Sequence, residues 1–331
     1  MKSLTLSEKS KVKKILVVSL SNLGDVILTF PVIDILLQDF PGVPLSVVVG
    51  PKAKELFQNN PLIERVYIFE KKSSPLEKMR WVDALRREQF DLVVDLRNTA
   101  IPLLVNAKYR TAYRDLADKG VHKRQKHLER LRGVWDFLGE KRNRRAIYIT
   151  GRDKACVDAL LKEAKLLERR FVVVAPGAAN HIKRWQEAGF AKIADELERK
   201  YRLPVVFVGD RADQSVALSI INQMRHRAFD ATGKTTMLQL AELIHRSQLV
   251  IANDSSVMHL SSYLDKPTLA IFGPTDERKY GPWSMRSRVA RKKLFCTPCE
   301  KSGCAYQHEC MKELDPDEVW EILKKDLLKD L

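Results

Sequence analysis

Asn253-Asp254-Ser255-Ser256-Val257-Met258-His259, followed by Lys266-Pro267-Thr268-Leu269-Ala270-Ile271-Phe272-Gly273-Pro274-Thr275, decides the architecture. The apolar run Leu249 to Ala252 ahead of it has the length of a buried strand. It gives way to short polar residues where a helix is predicted over 256–264. A second apolar run, 268–272, ends in a Gly-Pro turn. Strand, helix and strand in that order make a parallel βαβ unit. In open α/β sheets, ligands bind beyond the carboxyl ends of the strands, where free N–H groups and the helix dipole favour an anion. The stretch therefore predicts a site for a phosphorylated ligand.

The alternation continues outward from it. Strands are predicted over 14–19, 45–49, 65–69, 91–96 and 146–149, then over 171–175, 204–208, 249–252 and 268–272. Helices are predicted over 25–40, 53–58, 76–88, 125–138, 153–168, 186–200, 212–224, 236–245 and 256–264. This pattern predicts an α/β protein of two Rossmann-like, doubly wound domains facing across a cleft. The expected divisions are 1–165, 166–315 and a C-terminal helix over 316–331, with the amphipathic segment 153–168 as connector.

At 331 residues the chain is long for one core. No apolar run reaches the roughly 20 residues that span a bilayer. The basic, polar segment 1–14 lacks the apolar centre of a signal peptide, so a cytoplasmic protein is expected. Lys and Arg number 58 against 42 Asp and Glu, a net +16, which predicts an anionic partner. From Lys108 to Arg145, 13 basic residues face 5 acidic ones, a local +8 and half of the total. A merely solvated face would mix its signs. No nucleic-acid module accompanies the basic stretch, so nucleic acid is not the expected partner.

Four other segments are chemical candidates. In Ser21-Asn22-Leu23-Gly24-Asp25, only one glycine of the dinucleotide fingerprint is present, which argues against a nicotinamide cofactor. By position, Asp25 is either a first-turn helix acid or a general base. Pro176-Gly177-Ala178-Ala179-Asn180-His181-Ile182-Lys183-Arg184-Trp185 follows a predicted strand. Its small residues permit close backbone approach, and Lys183 or Arg184 can neutralise phosphate; the alternative is an ordinary surface loop. Trp185 reads as a packing anchor. In the opening stretch, Ser255 and Ser256 can donate to phosphate, and Asp254 suits sugar hydroxyls or a helix cap. His259, one turn beyond Ser255, is either structural or part of the site.

Gly273-Pro274-Thr275-Asp276 can be a plain turn. Asp315-Pro316-Asp317 has metal-ligand spacing but reads as a helix start. Cys296, Cys299, Cys304 and Cys310 are compact enough for zinc, although the loop between the ligand pairs is short; free or buried thiols are favoured. Cys156 is expected in a helical core.

In order and spacing, these segments resemble glycosyltransferase family 9, the ADP-heptose:lipopolysaccharide heptosyltransferases. The likeness rests on Ser21 to Pro31, Pro176-Gly-Ala with Lys183-Arg-Trp185, Asp254-Ser255 with His259, and Phe272 to Asp276 with Tyr280-Gly-Pro282. It implies a GT-B fold and metal-independent, inverting transfer of heptose from an ADP-linked donor to the lipopolysaccharide inner core, with no cofactor. It assigns Asp25 as base and Lys183 to the diphosphate. Asp213, Asp254, Ser255, Ser256 and His259 fall to the donor. Asn22, Gly24, Lys123, Arg124 and Lys126 are expected against a lipid-linked anionic acceptor at the inner-membrane surface. Ser19, Ser256 and Gln186 depart from the family's usual basic residue, glycine and proline. The alternative is a GT-B enzyme using another nucleotide sugar, either a transferase or an epimerase.

Overall fold

The computed structural model describes residues 4–19, 22–113, 120–139, 143, 145–301 and 303–329. The chain divides into two compact units, Met1–Tyr148 and Ile149–Leu331.

Among the described residues, the first unit carries a five-stranded parallel sheet of β1 (Ile15–Val18), β2 (Leu45–Val49), β3 (Ile63–Ile68), β4 (Leu92–Asp95) and β5 (Tyr109–Arg110). The strand order is β3-β2-β1-β4-β5. β1, β2 and β4 are buried along their whole length, as a sheet covered on both faces requires. The helices are α1 (Leu23–Ile27), α2 (Phe30–Asp39), α3 (Pro75–Arg87), α4 (Ile101–Leu104) and α5 (Lys123–Arg132).

Three expectations for this unit are corrected. The single helix over 25–40 is two helices, because Pro31 has no N–H to offer the preceding turn and the Thr29 hydroxyl donates to the Val26 carbonyl instead (2.6 Å). Residues 53–56 belong to a 3₁₀ turn, Pro51–Leu56, and the helix expected over 53–58 does not form. Residues 146–149 are not a strand. There the Ala146 N–H donates to Asp34 Oδ1 (2.7 Å) and its carbonyl accepts from Asn60 Nδ2 (3.1 Å), so side chains take the ladder's place.

The second unit carries a six-stranded parallel sheet among its described residues: β6 (Val172–Ala175), β7 (Val205–Phe207), β8 (Phe229–Asp230), β9 (Leu249–Asn253), β10 (Thr268–Phe272) and β11 (Ser287–Arg291). The order is β11-β10-β9-β6-β7-β8. The chain winds out from β6 through β7 to β8, then returns to β9 on the other side of β6, the doubly wound order of a dinucleotide-binding sheet. The helices are α6 (Gly151–Glu163), α7 (Glu187–Tyr201), α8 (Gln214–Gln223), α9 (Met237–Arg246), α10 (Ser256–Tyr263), α11 (Glu277–Tyr280), α12 (Glu309–Lys312) and α13 (Pro316–Asp326).

The helix expected as connector, α6, packs on α9, with Arg246 reaching Asp158 and Lys234 reaching Glu163. It is part of the second unit, so the division falls near residue 148 rather than 165. The C-terminal helix is not separate either: Val319, Trp320 and Leu323 of α13 enter the same core as Val172, Phe190 and Ile251. Cys156, expected in a helical core, is exposed on α6; the face carrying Val157, Leu160 and Leu161 is the buried one.

Candidate active site

In the second unit, β6 and β9 are neighbours whose chains leave in opposite directions, and residues 176–185 and 253–259 follow them. The buried Asn253 side chain links the two segments, donating from Nδ2 to the Pro176 carbonyl (2.7 Å) and accepting at Oδ1 from the Trp185 N–H (3.2 Å). Lys183 ends a 3₁₀ turn capped by Asn180, whose Oδ1 accepts from the Ile182 N–H (3.2 Å). Its ammonium donates to Asp254 Oδ2 at 2.7 Å; the aspartate side chain is 7% exposed and the lysine 32%. Burial of the carboxylate makes this a charge-assisted bond rather than a loose surface pair. Asp254 therefore holds the lysine and does not cap the helix.

Ser255 occupies the N-cap position of α10, yet its hydroxyl makes no capping bond. The hydroxyl oxygen is buried, with no hydrogen-bond partner among the described residues. With Ser256 at the first helical position, these residues present the donor end of the helix dipole. His259 is buried and stacks on Trp283, with ring centroids 6.2 Å apart and planes 25° apart.

A cavity of about 370 Å³ adjoins Lys183 and is lined also by Asn180, Pro274, Thr275, Tyr280 and Lys301. The Gly273-Pro274-Thr275 turn thus belongs with the lysine. Arg184 has other work, donating to the Ala178 carbonyl (3.2 Å) and lying 3.5 Å from Asp213 Oδ1. The Asp213 carboxyl fills the space beside Gly177 and Gly209, where an added Cβ would lie 2.2 Å and 2.7 Å from it. Burial, and then the charge of Asp210, push its carboxyl above the usual range. Trp185 is a packing anchor, as expected, buried and donating from its ring to the Leu314 carbonyl (3.0 Å). Gln186 donates to the Lys312 and Leu314 carbonyls and so ties the start of α7 to the C-terminal segment.

The corresponding point of the first unit lies between β1 and β4, where Val18 pairs with Asp95. Asn22 stands at the N-cap position of α1 and Asp25 in its first turn. Asn22 Nδ2 donates to Asp25 Oδ2 (3.0 Å), and Asp25 is half-exposed. Gly24 lies between them in the same turn. Ser21 lies outside the described residues. Ser19 is buried, with its hydroxyl 2.9 Å from that of Thr29.

Asp95 was missed by the sequence reading. It is buried, accepts from the Arg97 N–H (2.8 Å) and the Thr99 hydroxyl (2.9 Å), and its carboxyl is pushed up by burial. Arg130 of α5 donates to its carbonyl (3.2 Å). The available signal was an acid closing an apolar strand, 92–95. On α5, Lys123 and Lys126 are partly exposed, whereas burial lowers the pKa of Arg124. The remaining face of α5 buries His127, Leu128 and Leu131. Arg114, Lys119, Lys141, Arg142 and Arg144 of the basic stretch, with Asp115, Asp118 and Glu140, lie outside the described residues.

Cys296, Cys299, Cys304 and Cys310 are free thiols around an apolar cavity of about 370 Å³ that also touches Phe295 and Tyr306. Cys304 Sγ accepts from the Tyr306 and His308 N–H groups (3.3 Å each), and burial pushes the Cys310 thiol up to about 11. Among the described residues, no three His, Cys, Asp or Glu side chains are grouped so as to hold a metal ion. Asp315 caps α13, accepting from the Asp317 N–H (2.7 Å), which is the helix start expected of it.

The profile of glycosyltransferase family 9 (heptosyltransferase) matches residues 79–309. Lipooligosaccharide heptosyltransferase 2 of Campylobacter jejuni is 26% identical over 312 residues, covering 92% of this chain and 96% of the relative. The solved family 9 glycosyltransferase of Veillonella parvula superposes with a TM-score of 0.80 at 22% identity, over 96% of this chain and 97% of that one. The Escherichia coli ADP-heptose lps heptosyltransferase II does so with 0.75 at 21%, over 96% and 99%. Two doubly wound units with the GT-B fold of these solved enzymes, and a family match across most of the length, make the chain a member of glycosyltransferase family 9, the heptosyltransferases.

Proposed function

We propose that the protein transfers heptose from an ADP-linked donor to the lipopolysaccharide inner core, with inversion and without a metal ion. The carrying observation is Lys183, held by the buried Asp254 beside the N-terminus of α10, where a diphosphate finds an ammonium, hydroxyls and helix N–H groups together. These groups stabilise the departing ADP, the task a divalent ion performs in other transferases. Asp213, set against two glycines, receives the nucleoside, while Asp254 and His259 border the sugar. Asp25, oriented by Asn22, takes the proton of the acceptor hydroxyl, and the oxygen attacks the anomeric carbon from the face opposite the diphosphate.

Lys123, Lys126 and the flank of Arg124 meet the phosphates and acid sugars of a lipid-linked acceptor. The basic stretch also suits anionic lipid at the cytoplasmic face of the inner membrane. The exposed side chains of Leu103, Leu104 and Tyr113, in the same stretch of sequence as Lys108 and Arg110, support that peripheral placement. Among the described residues, no helix is long and apolar enough to cross a membrane.

The test is transfer from ADP-heptose to a heptose-deficient acceptor, with and without chelator. Wild type is expected to turn over in EDTA and to give the inverted anomer by NMR. Asp25→Asn is expected to lose about 10²–10⁴-fold in kcat, the usual range for a general base. Near-normal transfer by the variant, a retained anomer, or turnover only with UDP-sugars would refute the corresponding part of the proposal.

A further inference from the structure

Asn253 is the last residue of β9, a strand buried throughout and otherwise made of Leu, Val, Ile and Ala. A carboxamide in such a place is costly to bury unless both its ends are bonded. Both are, and to one segment: Nδ2 to the Pro176 carbonyl and Oδ1 to the Trp185 N–H. Those two backbone groups are the two ends of the loop that carries Lys183. Between them the loop is braced by its own bonds, Lys183 N–H to the Asn180 carbonyl (3.0 Å) and Arg184 N–H to the His181 carbonyl (3.0 Å). The loop is thus a stiff arch, and a single side chain pins both of its feet. The next residue in sequence is Asp254, which holds the lysine's ammonium at 2.7 Å. The residue after that, Ser255, is the N-cap of α10.

We infer that Asn253 is a positioning residue for donor binding: by clamping both feet of the 176–185 arch to the end of β9, it sets Lys183 at a fixed distance from the N-terminus of α10. Asp254 alone does not do this. One ion pair at the end of a flexible lysine restrains the ammonium, whereas the amide clamp restrains the backbone from which the lysine extends. The diphosphate then meets an ammonium and helix N–H groups already in register, and no binding energy is spent on ordering the loop. The inference rests on the proposal that Lys183 contacts the diphosphate.

The test is a double-mutant cycle on the full-length protein, read by ADP titration in a calorimeter. Asn253→Ala is expected to weaken ADP binding about tenfold, and Lys183→Ala by more. Because the amide acts through the lysine, the double variant should be within about twofold of Lys183→Ala, the non-additivity expected of coupled residues. A thermal melt of each variant confirms folding. If Asn253→Ala does not fold, Asn253→Ser is put through the same cycle. Unchanged ADP affinity in a folded Asn253 variant, or losses that multiply in the double variant, would overturn the inference while leaving Lys183 in its role. Unchanged affinity in Lys183→Ala would overturn the donor reading itself, and the inference with it.

Discussion

At the β6/β9 point of the second unit, Lys183 lies against a buried carboxylate, Arg184 against Asp213 and the Ala178 carbonyl, and Asn253 bonds both feet of the intervening loop. At the β1/β4 point of the first unit, Asn22 and Asp25 bond each other in a half-exposed turn, and the nearby cations of α5 stand partly in solvent. The two sheets have the same winding, so the contrast does not come from topology. Under the proposed function it reflects what each point holds. A charged leaving group is stabilised best by dipoles fixed before it arrives. A large, multiply charged saccharide is better met by cations on long stems that can adjust.

The largest effect expected from breaking this contrast is at Lys183. Losing a charge-assisted bond to an anion costs about 1.5–3 kcal/mol, or about 10–150-fold in affinity. Lys183→Ala should weaken ADP by that factor in calorimetry, with the acceptor KM little changed. An equal loss on both substrates would show that the lysine stabilises the whole fold rather than the donor site.

Much of this was legible in the chain itself. The run from Leu249 into Asn253-Asp254-Ser255 announces a strand ending at a helix start, and Lys183 stands after the first strand of its unit, where an anion-binding residue is expected. The bonds of Asn253 and the burial of Asp95 were not legible. Asn253 acts on Pro176 and Trp185, 77 and 68 residues away, and no local pattern records such a pairing. β5 and β8 have two residues each, too few to show a period. The unit boundary was misplaced because α6 has a charged outer face, like a connector, while its packing partner α9 lies far along the chain.

A second prediction probes the buried side of α5. His127 is pushed down to about 3, first by burial and then by the charges of Arg130, Lys123 and His122. The unfolded chain binds this proton near pH 6.5 and the folded one does not, so stability is present above pH 6.5 and is lost as pH falls from there toward 3. The slope approaches about 1.4 kcal/mol per pH unit for one proton. Denaturant melts from pH 7.5 to 4.5 should show it, and His127→Gln should flatten it. An unchanged slope in the variant would place the acid sensitivity elsewhere.

The smallest effect is expected on the adjustable side. Lys123→Glu with Lys126→Glu should raise the acceptor KM several-fold, with an effect that fades at high salt, since exposed charges contribute about 0.2–1 kcal/mol each. The donor KM should stay put. A rise in donor KM instead would mean that the basic helix serves the nucleotide sugar.

One comparison tests the division of labour most directly: ADP binding by wild type, Asp25→Asn and Lys183→Ala, each measured beside its rate of heptose transfer. If the two units divide the work as argued, Asp25→Asn binds ADP like wild type while transfer collapses, and Lys183→Ala loses ADP affinity. Weakened ADP binding in Asp25→Asn, or wild-type ADP affinity in Lys183→Ala, would contradict it.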